Sequence, residues 1–449
     1  MAEDITAEAE TPGAAATAGM AGEVVEADWT WTGERFEAGW QLRLDREGRI
    51  AEAGRLGLPA TQRLPRRALL PGMVSAHSHA FQRGLRGRGE SFPEGAGSFW
   101  TWREAMYELV GRLGAGELER LCLQTFRELR AAGVTAVGEF HYLHHEGAGR
   151  DYALDARVLA AAAAAGIRIV LLNTYYRTGG LGQPLEGAQR RFESPSPGPF
   201  WEQMDRLAGQ LAGLEQSLGA AVHSLRAATP GELAEIYGEA RRRGLVVHLH
   251  LEEQRREVDE ALAFYGRRPL EHLLAVLPSA AGLTAVHCTH SAPQDLERFL
   301  AAGGAVCVCP LTEANLGDGI PDLSLLAPRF GERLCLGTDS NARISLLEEM
   351  RWLEYGQRLR REARGALRDA AGRVAAQLLQ AATAGGARAL GLPCGRLAPG
   401  CWADLIALDL DLPSLAGWEP DTLLESLIFG AGDEAIAATA VAGIWQQHR

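Results

Sequence analysis

The 449-residue chain predicts an α/β fold, a (β/α)8 TIM-type barrel carrying a small β-sandwich domain built from both termini. Three observations carry this expectation. The middle of the chain alternates short apolar strands with helical segments, roughly eight times over about 320 residues, which implies a closed parallel sheet. The two ends are instead turn-rich and strand-like. The motifs rich in His, Asp and Glu stand where apolar strands end, the rim at which such a barrel carries its active site.

The elements follow in order. Residues 1–22, MAEDITAEAETPGAAATAGMAG, are acidic and rich in Ala, Gly and Thr. They lack a basic region followed by an apolar one, so a disordered tail is expected and a secretory signal is not. Residues 23–70 read as the N-terminal part of the sandwich, with strands in VVEADWTWTG, WQLRLDREGRI and LPRRALLPG and a hairpin turn at REGR. The barrel is expected over residues 71–392. Its strands are RRALLPGMVS, GVTAVGEF, IRIVLLNTYY, GAAVHSLRA, LVVHLHLEE, LTAVHCTHSA, AVCVCPLTE and RLCLGTDS. Helices such as LDARVLAAAAAAG, ELAEIYGEARRRG and QDLERFLAAGG separate them. Residues 393–449 return to β-type patterns, GRLAPGCWADLIALDLD and AIAATAVAGIW, as the C-terminal part of the sandwich.

Composition narrows the function. The formal net charge of −12 argues against nucleic acid as a partner and requires locally placed cations for any anionic substrate. No apolar run is long enough to span a membrane, and a cytoplasmic protein is expected. All 45 basic residues are arginine. Schiff-base, phosphate-loop and metal-bridging carbamylated lysines are therefore excluded. The seven cysteines show no disulfide framework and no second pair to complete a zinc site with Cys307 and Cys309.

The chemistry begins in AHSHAFQRGLRG. A strand has a side-chain period of two, so His77 and His79 point the same way and can share one ion. Asp339 of LGTDS and one histidine of VHLHLEE would complete three nitrogens and one carboxylate. His248 and His250 face the same side of their strand. His250 lies nearer the rim and has Glu253 three residues on, so it is the better ligand, and His248 becomes a deeper hydrogen-bonded residue. A divalent ion on such ligands makes water a nucleophile near neutral pH. Glu253 is placed to carry the proton, although alone it would read as a solvated acid at a helix start. His287 of AVHCTH is placed to polarise the water or to stabilise the intermediate. Its neighbour His290 reads as structural.

The order H-x-H, H-x-x-E, H, D on successive strands resembles the amidohydrolase superfamily, and the absence of lysine leaves its mononuclear deaminase-type branch. PGMVSAHSHAFQRGLRG, SFWTWREAMYELVGRL, VGEFHYLHH and VHLHLEEQRREV resemble the formimidoylglutamate deiminases, a family of histidine-degrading enzymes. The likeness runs from about residue 70 to 390. It implies hydrolysis of the formimino C=N of N-formimidoyl-L-glutamate to N-formyl-L-glutamate and ammonia. It implies one divalent ion, zinc by preference, on His77, His79, His250 and Asp339. It gives Glu253 and His287 the catalytic roles and assigns the substrate to Gln82, Arg103, Tyr142, His223 and Arg226.

The physics of the substrate agrees with that set. It carries two carboxylates, and arginine forks bind carboxylates at two points. Arg103 sits in the Trp-rich FWTWRE, and Arg226 shares a strand end with His223. Each alone would read as a surface charge. His144 and His145, after Tyr142, read as loop residues, and SNARISLLEE after Asp339 is a segment expected to bear on fine specificity. A deaminase of guanine or cytosine would keep the metal set without needing two carboxylate-binding arginines. A hydrolase of another acyclic amidine or guanidino acid fits the same residues. An inert barrel kept for binding would be expected to have lost ligands, and none is missing. The expected partner is thus a small dianionic molecule, with a homodimer as the assembly.

Overall fold

The computed structural model describes residues 22–448, apart from residues 89, 91, 93–96, 148 and 324–332. But for Gly22, the acidic tail expected over residues 1–22 lies outside the described residues.

Five strands open the chain: β1 (Val24–Trp31), β2 (Phe36–Glu37), β3 (Gln41–Leu44), β4 (Ile50–Gly54) and β5 (Gln62–Pro71). The barrel follows as β6 (Met73–Ser78), β7 (Val134–His141), β8 (Arg168–Tyr175), β9 (Gln216–Ser224), β10 (Val247–Leu251), β11 (Leu283–His287), β12 (Ala305–Val308) and β13 (Leu334–Leu336). These eight strands pair in parallel in chain order, as the alternating pattern predicts. Every residue of β6, β7, β8, β10, β11, β12 and β13 is buried. Helices cover one face of the sheet and the other is the barrel interior, which is why these strands read as apolar runs without alternation. Five of the intervening helices open on a proline, at Pro197, Pro230, Pro269, Pro293 and Pro310. Proline suits the first helical turn, where its missing N–H would have no partner.

The ring closes where the site will stand. Thr338 N and Asp339 N donate to His77 O at 2.9 and 3.1 Å, and His79 N donates to Asp339 O at 2.8 Å. Gly337 permits this approach: a Cβ there would lie 2.7 Å from His77 Cβ and 2.9 Å from Cys309 Sγ.

After the barrel come β14 (Leu405–Asp409), β15 (Ile436–Val441) and β16 (Ile444–Gln447). They join the N-terminal strands in the order β16-β15-β14-β5-β1-β3-β4, with β2 on β1. Both termini thus build one β-domain, as the sequence implies. Its strands form one continuous mixed sheet. Val25, Leu42, Leu44, Ile50, Leu69, Leu405 and Ala440 fill the core of that sheet. Its β4 end returns to the start of β14, where Ile50 N donates to Cys401 O at 2.8 Å. The parallel pairing of β1 with β5 puts the N-terminal strands in one sheet with β14, which lies antiparallel to β5. A buried ion pair locks this sheet to the barrel. Arg168 of β8 gives Nε and Nη2 to the two oxygens of Asp404 at 2.8 and 3.0 Å, and both side chains are within 1% of full burial.

Candidate metal centre and active site

The ends of β6, β10 and β13 bring His77, His79, His250 and Asp339 into one buried cluster. The Nε2 atoms of His77 and His79 are 3.1 Å apart, those of His79 and His250 3.3 Å, and those of His250 and His77 3.1 Å. Asp339 Oδ1 lies 3.4 Å from His77 Nε2 and 3.3 Å from His79 Nε2. Two of the tautomers are fixed from behind. His79 Nδ1 donates to Phe140 O at 2.8 Å and His250 Nδ1 donates to His223 O at 2.9 Å. Burial first of all pushes His77 down to about 3 and lowers His79 and His250, so the rings are neutral. Neutral rings that spend Nδ1–H on carbonyls face each other with Nε2 lone pairs. That arrangement is repulsive unless a cation sits among them. Tetrahedral bonds of about 2.0–2.1 Å place ligand atoms about 3.3 Å apart, which is the spacing found. The residues fit a metal ion.

Beside the cluster stand Glu253 and His287. Glu253 Oε1 is 3.7 Å from His287 Nε2, and Asp339 Oδ2 is 3.8 Å from the same nitrogen. Burial pushes the Glu253 carboxyl up to about 7. Burial works against a charge on His287, but Glu253, the hydrogen bond to Glu313 and Asp339 outweigh it and raise the imidazole to about 10. The hydrogen bond joins His287 Nδ1 to Glu313 Oε1 at 3.2 Å. The chain is bent to aim these groups. Glu252, His287, Cys288, Asp339 and Asn341 all take positive φ, between 45° and 75°. Each such residue costs on the order of 1–3 kcal/mol. Strain is therefore concentrated where β10, β11 and β13 enter the site.

The remaining sequence candidates line the same cavity. Gln82, Arg103, Tyr142, His223 and Arg226 all face it with His79, His250, Glu253, His287 and Asp339. Gln82 Nε2 donates to Tyr142 Oη at 2.8 Å. His223 packs its ring against Tyr142 and Tyr176, at centroid distances of 5.3 and 4.6 Å. Gln82 Oε1 and Arg226 Nε are buried without a hydrogen-bond partner among the described residues. Unspent polar atoms in a cavity wall are what a polar ligand would satisfy.

Other histidines and acids sort as follows. His248 donates Nε2 to Ala389 O at 2.9 Å, a layer below the metal cluster. Glu252 turns away and accepts from Leu270 N at 3.2 Å. His290 lies outside the cavity, its N–H on Glu252 O and its carbonyl accepting from Arg268. His144 and His145 lie in the loop after β7, as the sequence suggests, but they are not exposed. Both are fully buried: His144 bonds Asp155 Oδ1 and donates to Thr174 O, and His145 donates to Glu193 O. Neither lines the cavity. In the segment after Asp339, Ser340 faces the cavity and Asn341 donates to Ser78 Oγ at 3.1 Å. Sequence reasoning missed Tyr107, Tyr176, Phe192 and Thr312 in the wall, and Glu313 behind His287. Tyr107 alone carried a signal, four residues after Arg103 and so on the same helix face.

A sequence model of the amidohydrolase family matches residues 68–445. The chain belongs to the amidohydrolase family. Formimidoylglutamate deiminase of Pseudomonas aeruginosa is 45% identical to this amidohydrolase over 385 residues, 84% of each chain. A 5-methylthioadenosine/S-adenosylhomocysteine deaminase of Natronomonas pharaonis is 28% identical over 84% of this chain and 80% of its own length. The crystal structure of an amidohydrolase from Brucella melitensis superposes with a TM-score of 0.85 at 33% identity, covering 95% of both chains. Family membership and the cluster of three histidines and one aspartate together point to a divalent metal in this amidohydrolase.

Proposed function

We propose that the protein hydrolyses the formimino group of N-formimidoyl-L-glutamate to give N-formyl-L-glutamate and ammonia, a step of histidine degradation. One observation carries the reading: a single cavity joins a three-histidine, one-carboxylate cluster, a buried Glu–His pair and two arginines. The 45% identical formimidoylglutamate deiminase supports the choice of substrate.

His77, His79, His250 and Asp339 would hold the ion, and zinc is the metal that three nitrogens and one carboxylate favour. Such an ion, when bound, acts as a Lewis acid and activates water near neutral pH. Glu253 relays both protons of the attacking water to the departing nitrogen, one as the oxygen adds to the formimino carbon and the second as the C–N bond breaks, so the =NH leaves as ammonia and the carbon keeps a carbonyl oxygen. A carboxyl raised to about 7 by burial suits both halves of that transfer. His287 stands beside the carbon under attack and faces the negative charge that develops on its oxygen and nitrogen as it becomes tetrahedral. Arg103 and Arg226, with Gln82, Tyr142 and His223, hold the two carboxylates in a protein of net charge −12. Seven free cysteines support a reducing, cytoplasmic setting. No helix among the described residues is long and apolar enough to cross a membrane.

The test is ammonia release by the metal-analysed protein from N-formimidoyl-L-glutamate, with guanine and cytosine alongside. Turnover of the glutamate derivative alone is expected. Turnover of a ring substrate would keep the metal chemistry and overturn the roles of both arginines.

A further inference from the structure

Arg103 and Tyr107 lie one turn apart on the helix Phe99–Arg112. The Arg103 Nε–H donates to the Tyr107 hydroxyl at 2.7 Å. A second hydrogen reaches the same oxygen from Gln189 Nε2 at 2.9 Å. The Gln189 amide cannot be turned round, because its Oε1 accepts the backbone N–H of Glu186 at 3.0 Å. A hydroxyl has one hydrogen to give and two lone pairs to accept with. Both partners of Tyr107 can only donate, so both lone pairs are taken and the hydrogen is unspent. Among the described residues it meets no acceptor. The location says what kind of acceptor is missing. Tyr107 lines the inner cavity and also the open chamber beyond it, and Arg103 and Arg226 are shared between the same two spaces. A hydroxyl polarised by a guanidinium, with a free hydrogen at the passage between two arginines, is a donor prepared for an anion.

We propose that Tyr107 is a specificity-determining residue that donates its hydroxyl hydrogen to one carboxylate of the substrate, the one Arg103 grips. The inference rests on the functional reading above and adds a recognition group to it. The phenol accepts from Arg103 and donates to the carboxylate, so it ties the guanidinium and the anion into one ring of hydrogen bonds. Gln189 holds the phenol from behind and prevents it from turning its hydrogen inward.

The experiment compares native protein and Tyr107→Phe on three substrates. These are N-formimidoyl-L-glutamate, 4-(formimidoylamino)butanoate, which lacks the α-carboxylate, and 2-(formimidoylamino)butanoate, which lacks the side-chain carboxylate. Losing a hydrogen bond to a charged group should raise KM for the parent by roughly 10- to 100-fold. The turnover number should change by less than about threefold, because the contact exists equally in ground and transition states. One of the two analogues should show the same rise. The other, which lacks the gripped carboxylate, should show none. Equal rises on all three substrates, or no rise on the parent, overturn the role of Tyr107. Failure of native protein to turn over the parent overturns the functional reading itself, and the inference with it. If Tyr107→Phe does not fold, Gln189→Glu replaces it. Its carboxylate would accept the Tyr107 hydrogen, and the same substrate-selective rise is required.

Discussion

Glu253→Gln removes the proposed proton carrier while keeping the shape of the side chain. The backbone there should not move, since Glu253 N is held by Glu257 Oε2 at 3.2 Å. The four donor residues of the cluster do not include Glu253, so metal content should stay at its native level. Losing a positioned proton-transfer group costs about 10²–10⁴ in turnover. That corresponds to about 2.7–5.5 kcal/mol of barrier. A second effect follows from the electrostatics. His287 is raised to about 10 against burial, and Glu253 is the foremost of the groups that raise it. The variant should therefore also lower the imidazole pKa and move the alkaline limb of the pH–rate profile toward neutrality. The assay is steady-state ammonia release from N-formimidoyl-L-glutamate across pH, with metal per chain measured on the same samples. Turnover within about tenfold of native at unchanged metal content would show that another group carries the proton. Loss of metal together with activity would make Glu253 a ligand and refute the assignment of donors.

Three further outcomes are expected. Chelation should lower the melting temperature, because it leaves the Nε2 lone pairs of His79 and His250 facing each other at 3.3 Å. An ion at a hundredfold excess over its Kd contributes about 2.7 kcal/mol, or about 3 °C for a chain of this length, and an unchanged melting temperature would count against the site. Asp404→Asn should cost about 3–5 kcal/mol in urea unfolding, because it strands the guanidinium of Arg168 between barrel and terminal sheet; a cost near zero would mean the pair adds nothing. Asp155 should matter for acid stability. Burial opposes its charge, but His144 and His141 more than offset burial and hold the carboxyl well below its ordinary 3.8. A depressed folded pKa adds stability above the unfolded value and loses it as pH falls toward the folded one. Asp155→Asn should therefore be less stable than native at pH ~7, with the gap narrowing below pH ~4; a gap independent of pH would refute this.

What the sequence makes legible follows from where each residue's partner lies along the chain. The barrel is readable because strand and helix periods are local properties, and the rim is readable because each strand end carries its own polar residues. His77 and His79 need only the two-residue period of one strand, and Glu253 needs only its three-residue step from His250. Glu252 and Glu253 are adjacent acids, yet the positive φ of 52° at Glu252 sends one to Leu270 N and the other into the cavity. Residues whose role depends on a partner from another segment stay hidden. Glu313 reads as an ordinary acid in CPLTE, and only the packing of β12 beside β11 carries it to His287. His144 and His145 read correctly as loop residues, but their burial stays hidden because nothing near them in sequence shows that Arg191 O will accept their backbone N–H groups or that Glu193 O will accept from the His145 ring. The strand pairing of β1 with β5 that merges the two termini into one sheet is hidden for the same reason. The proposed metal donors come from strand ends, where local rules aim side chains, so their clustering could be read. The groups that tune them and shape the cavity come from the loops and helices between strands. Tyr107, Gln189 and Glu313 all belong to that second set, and fine specificity in this barrel is therefore expected to vary there while the donors at the strand ends stay in place.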